Sequence, residues 1–129
     1  MNNTKNVADL AGRLLIASIF LASGLSKIAG YAATQAYMAS ASVPGALLPL
    51  VIATEVGGSL LIIAGFWTRL AAVGLAGFSV LAALLFHANL ADPMQQINFM
   101  KNIAIAGGFL LLAVNGAGSW SLDARRART

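Results

Sequence analysis

Residues 47–66 read LLPLVIATEVGGSLLIIAGF, about as long as a membrane-crossing helix needs to be and apolar or small at nearly every position. In the middle stands Glu55, the only acid within any of the apolar segments of the chain. A charged side chain at the bilayer centre costs about 3 kcal/mol on insertion scales. Such a helix is expected to turn its carboxylate inward, against a cation, a donor or a water-lined cavity. The remaining sequence therefore has to supply other helices and a partner for Glu55.

Composition agrees with a membrane protein. Of 129 residues, 59% are hydrophobic and only 9% charged, with a mean hydropathy of +0.82, where a soluble domain carries roughly a quarter charged residues. That length accommodates a single domain, residues 1–129. The net charge of +4 gathers in the tail, at Arg125, Arg126 and Arg128, which is a pattern of membrane orientation and not of nucleic-acid binding. With no cysteine, the chain has no disulfide relay, iron–sulfur ligation or thiolate metal site of its own. The start, MNNTKNVADLAGR, lacks the basic region and cleavage site of a signal peptide, so the first apolar segment is expected to be retained.

Three further segments flank the first. Leu10 to Ile28 follows a cap at Asp9, and helical spacing puts Arg13, Ala17, Phe20, Gly24 and Lys27 on one face. Its two cations either snorkel to the headgroups or share an inward side. The connection Gly30–Gly45 holds a short helix capped by Thr34, with Tyr37, Met38 and Ala41 against the membrane, or an ordinary surface loop. In the 47–66 span, Pro49 falls in the first turn, while Glu55, Ser59 and Ile62 share a face. Gly57 and Gly58 remove bulk beside the acid, and Ala53 with Gly57 forms a pair for close helix approach.

Trp67 marks an interface and Thr68 a cap for the third span, Arg69 to Leu90. His87 closes that span on the same side as Arg69, eighteen residues and about five turns away. Asp92-Pro93-Met94-Gln95 is a helix start with Gln95 at the capping-box position, and the fourth span, 93–115, carries Asn98, Lys101, Ile105, Gly108, Leu112 and Asn115 on one face. The tail leaves the membrane at Gly116, with Trp120 at the interface.

These segments predict an all-α membrane protein, a four-helix antiparallel transmembrane bundle with spans at about 10–28, 47–66, 69–90 and 93–115. Lys5, Arg69 and the tail arginines fall on one side, which the positive-inside rule makes the cytoplasm, so both termini are expected there. Lys27, His87 and Lys101 then lie toward the outer side, with Glu55 about 12 Å into its helix. Glu55, His87 and Lys101 are expected to line a small polar pocket in the outer half, with Lys27, Lys101 or Arg13 near the acid.

The elements RLLIASIFLASGLSKIAG, ATEVGGSLLIIAGFWTRLAA, the late His87, KNIAIAGGFLLLA and WSLD resemble the DoxX family of small bacterial four-span membrane proteins, over about Arg13 to Asp123. The resemblance implies residence in the bacterial inner membrane and functional polar positions at Arg13, Lys27, Glu55, His87, Lys101 and Asn102. The family is named for a component of a terminal quinol oxidase, which implies a quinone as ligand and a redox partner subunit. Relatives that use cysteines for redox chemistry are not matched in that respect.

Three functions remain open on the sequence. The chain is a subunit or accessory of a quinone-linked oxidoreductase without a redox centre of its own, with Glu55 and His87 relaying protons and Lys101, Asn102, Lys27 and Arg13 binding the ligand. Alternatively it is a non-enzymatic module that binds or transports a small molecule or scaffolds a partner, with any transport path requiring a homo-oligomer. In the third reading the polar cluster is helix glue, a weak explanation where such contacts average about 0.6 kcal/mol. One histidine cannot give bis-His haem ligation, and no flavin or nicotinamide fingerprint is present; Gly57-Gly58 and Gly107-Gly108 sit inside apolar helices and mark packing.

Overall fold

The computed structural model describes residues 2–129, and among these the elements are helices. Four are long and apolar enough to cross a membrane: α1 (Asn3–Ala29), α3 (Gly45–Ala64), α4 (Thr68–Phe86) and α5 (Pro93–Asn115). Two short helices, α2 (Tyr31–Ser40) and α6 (Leu122–Ala127), sit at opposite ends of the bundle. The expected antiparallel four-span order is what the chain adopts. One end carries Arg13, Arg69 and the tail; the other carries Lys27, α2 and His87.

Several helix ends differ from the sequence reading. α1 starts at Asn3, capped by the Asn2 side chain, which accepts from the Thr4 amide at 2.9 Å. Asp9 is therefore two turns inside the helix, where it pairs with Lys5 at 2.6 Å instead of capping. α2 starts at Tyr31, so Thr34 is not its cap; the Thr34 hydroxyl donates back to the Gly30 carbonyl at 2.8 Å. α4 stops at Phe86, with His87 as its C-cap and not part of its last turn. At its other end, Trp67 takes the left-handed conformation at φ 47°, and the Trp67 and Thr68 amides donate to the two carboxylate oxygens of Asp123 at 2.8 and 2.9 Å. The cap expected of Thr68 is thus supplied from the tail, fifty-five residues away. α5 begins as read, with Pro93 in its first turn and Asp92 accepting from the Met94 amide at 3.0 Å.

α1 packs on α3, α3 on α4, and α4 runs along the whole of α5. The core is aromatic and small. Phe20 meets Phe109 and Phe78 at ring-centroid distances of 5.6 and 6.2 Å, filled in by Ala17, Ile62, Ala72 and Leu75. Large apolar side chains elsewhere point outward, such as Leu15, Leu70, Leu111 and Val114, as a lipid-facing surface requires. The buried face of α1 includes Arg13, Ala17, Phe20 and Gly24, and that of α3 Glu55, Ser59 and Ile62, both as the helical spacing predicts.

The tail does not simply leave the bundle at Gly116. It folds back over the Arg13 end: Ala117 is buried, Asp123 caps α4, and the Arg126 guanidinium lies 5.1 Å from the centre of the Phe66 ring. Burial pushes the Asp123 carboxyl up, but hydrogen bonds from Thr68 and Trp67 and the charge of Arg126 outweigh it and hold the group below its ordinary range.

Candidate functional site in the intramembrane cavity

Midway along α3 the helix widens into a π turn over Ala53–Gly57, with Glu55 at its centre. Such turns are single insertions into an α-helix and are enriched at functional sites. Glu55 is 2% exposed, and its Oε1 lies 2.7 Å from Lys27 Nζ. The same ammonium donates to Ser23 Oγ at 2.6 Å, one turn back along α1. Ser59 donates its hydroxyl to the Glu55 carbonyl, one of the backbone groups at the widened turn. The approach of the helices is set by Gly24: a Cβ there would lie 2.6 Å from Val56 Cγ2 and 3.2 Å from Glu55 Cβ. Gly58 does the same against Leu75, whereas Gly57, expected at a contact, has nothing near it.

Beside this ion pair is a cavity of about 400 Å³, within the size range of small-molecule sites. Its polar lining comes from five helices or their caps: Ser23 and Lys27, Thr34, Glu55, His87 and Asn102. The rest is apolar. The His87 ring is fixed by a 2.6 Å contact between its Nδ1 and Gln95 Oε1, so the residue expected in a capping box instead orients the histidine. Above them α2 forms a roof, with the Tyr37 ring stacked on Phe86 at 5.4 Å and 19° and Met38 buried beneath.

Of the six candidate site residues Arg13, Lys27, Glu55, His87, Lys101 and Asn102, four line this cavity: Lys27, Glu55, His87 and Asn102. Lys101 does not. It is exposed, because the inward face of α5 is centred on Ala106 and Phe109; this turns Asn102 to the cavity and its neighbour, about 100° around the helix, away from it. Arg13 is also elsewhere, fourteen residues and about 21 Å along α1 from Lys27. Its guanidinium is 1% exposed and donates to the Ile62 and Ile63 carbonyls at 3.1 and 3.0 Å and to the Trp120 carbonyl. There it closes the C-terminus of α3 and ties down the tail, a structural task. The sequence reading places Tyr37 at the membrane interface and Gln95 in a helix start, and gives neither of them, nor Ser23, a part in the site. Ser23 carried a signal, being one turn from Lys27; nothing local joins Gln95 to His87.

A wider cleft of about 570 Å³ lies at the opposite end, between Trp67–Leu70 and the tail. Its charged groups are already engaged: Asp123 caps α4, and Arg69 donates to the Ala113 carbonyl at 3.0 Å and to that of Val114. The cavity beside Glu55 is therefore the candidate site.

A family model described as DoxX matches residues 8–88. Inner membrane protein YqjF of Escherichia coli is 49% identical over 123 residues, spanning 95% of each chain. Inner membrane protein YphA of the same organism is 39% identical over 124 residues, spanning 90% of this chain and 88% of that one. No solved structure matches.

Proposed function

The chain belongs to the DoxX family, and we propose that it serves there as an inner-membrane subunit or accessory of a quinone-linked oxidoreductase, holding a quinone headgroup in the cavity beside Glu55. One observation carries this reading: a largely apolar cavity at membrane depth on which Ser23, Lys27, Glu55, His87 and Asn102 converge from separate helices.

A quinone ring is apolar with two carbonyl acceptors, and the lining fits it. Lys27 and the Asn102 amide are donors for those oxygens, and the aromatic and aliphatic walls suit the ring. When bound, a quinone supplies reversible uptake of two electrons and two protons. Glu55 holds Lys27 in place and, with His87, forms the titratable pair that passes protons. With Gln95 Oε1 accepting from Nδ1, the other ring nitrogen of His87 is left to take and return a proton. The electrons come from a partner chain bearing a redox centre. Lys5, Arg69 and the tail arginines gather at the Arg13 end, which supports a cytoplasmic location for both termini and an outward cavity.

The second reading, a non-enzymatic module for another small molecule, is favoured by the internal neutralisation of Lys27 by Glu55, which gives a wall suited to binding without chemistry. Solvent extraction of gently purified protein, followed by titration with quinone in nanodiscs, separates the two. Quinone should co-purify with the wild type and bind at least tenfold more weakly to the Glu55→Gln, His87→Ala double variant. Unchanged binding in that folded variant overturns the proposal; a different molecule in the extract supports the second reading.

A further inference from the structure

The walls of the cavity are not equally closed. α3 packs on α4 through its π turn and its C-terminal half, while residues 45–52 pack on α1 and α2. α3 and α4 therefore diverge toward the Lys27 end. Four cavity-lining leucines flank the gap, Leu47 and Leu50 on α3 and Leu81 and Leu85 on α4, and they are 44–65% exposed. On the other side, α5 contributes no exposed residue to the lining, and α1 exposes only Ile19 among its large apolar ones. From the end of the bundle, the route is blocked by the Tyr37–Phe86 stack and buried Met38.

The polarity of the lining runs the same way. Ser23 and Lys27 on α1 and Asn102 on α5 belong to the two helices opposite the gap, and the polar residues that α3 and α4 add, Thr54, Glu55, Ser79 and His87, are buried or half-buried, whereas the exposed lining of the mouth is leucine. A molecule entering from water would have to displace the α2 roof. One entering from the acyl chains meets apolar side chains first and polar ones last, with no desolvated charge on the way.

We infer that the cavity is filled sideways from the bilayer between α3 and α4, and that its ligand is a lipid-soluble amphiphile whose polar head reaches Lys27 and Glu55 while an apolar chain stays in the leucine-lined gap. The identity of the head rests on the quinone reading above; the route does not.

The absence of cysteine allows a single thiol to be placed at will. A nitroxide on Thr54→Cys, at the cavity wall, is measured in reconstituted bilayers for relaxation by oxygen, which partitions into lipid, and by a water-soluble nickel chelate. Oxygen should dominate, and its effect should fall several-fold when Leu81→Trp fills the gap. Dominance of the nickel chelate, or an oxygen effect indifferent to Leu81→Trp, overturns the lateral route. In parallel, the wild type and the Leu50→Trp and Leu81→Trp variants are titrated with a dimethoxy-methyl-benzoquinone and with its decyl derivative. The two variants should weaken the decyl compound by about tenfold, the worth of roughly two buried methylenes, and leave the tailless one within twofold. Equal, unaltered binding of both compounds by all three proteins removes the portal and leaves the headgroup site standing. Failure of the wild type to bind either removes the quinone reading, and the nitroxide measurement then decides the route alone.

Discussion

Replacing Lys27 with Met tests whether the ion pair at Glu55 organises the outer half of the bundle. Met keeps the length and apolar stem of the side chain and removes the ammonium, so packing is nearly retained and the carboxylate is left alone. Glu55 is 2% exposed and its carboxylate has Lys27 at 2.7 Å as its ion-pair partner, with the Lys27 side chain 25% exposed. Removing one partner of a buried pair costs about 3–5 kcal/mol, and the water admitted around Lys27 places this case at the lower end, near 3 kcal/mol. That is a change of about 150-fold in the unfolding equilibrium, several times the average for polar contacts between membrane helices. The assay is reversible unfolding of the reconstituted protein in mixed micelles, read by circular dichroism. Adding Glu55→Gln to Lys27→Met should restore most of the loss, because both charges are then gone, and the cycle isolates the coupling. A Lys27→Met cost below about 0.5 kcal/mol, or a double variant no better than the single, would refute the argument that the pair compensates a buried charge.

The two glycines near the acid should behave oppositely: Gly24→Ala drives a Cβ to 2.6 Å from Val56 and lowers folded yield, partly regained with Val56→Ala, while Gly57→Ala meets open space and is neutral or stabilising by some tenths of a kcal/mol. Arg13→Lys cannot reproduce contacts to three carbonyls and should destabilise strongly despite keeping the charge, detectable as loss of thermal stability in detergent. Asp123→Asn keeps one acceptor but turns an amide donor toward the other backbone N–H and removes the charge, and should cost about 1 kcal/mol near neutrality. Because the native Asp123 carboxyl is held below its ordinary 3.8, its contribution is complete above that value and fades as pH falls through the native one, so wild type and variant should converge only in strong acid. Reporter fusions after Trp67 and after Arg128 should both read cytoplasmic, and a periplasmic signal from either would reverse the proposed orientation.

Local spacing determined much of this protein. The four spans, the inward faces of α1 and α3, the Asp92-Pro93 start of α5 and the need of Glu55 for a cation all follow from periodicity and from the cost of charge in lipid, which act along one helix at a time. Which cation answers Glu55 does not follow from one helix. Arg13, Lys27 and Lys101 were equal candidates until Gly24 let α1 and α3 approach at the depth of Lys27, and until the inward face of α5 settled on Ala106 and Phe109, turning Lys101 outward. The widened turn at Glu55, the hold of Gln95 on His87 and the return of Asp123 to cap α4 likewise join residues far apart in the chain or depend on packing. Such contacts form when whole helices pack, and a pattern repeating every three or four residues carries no information about its partner's register.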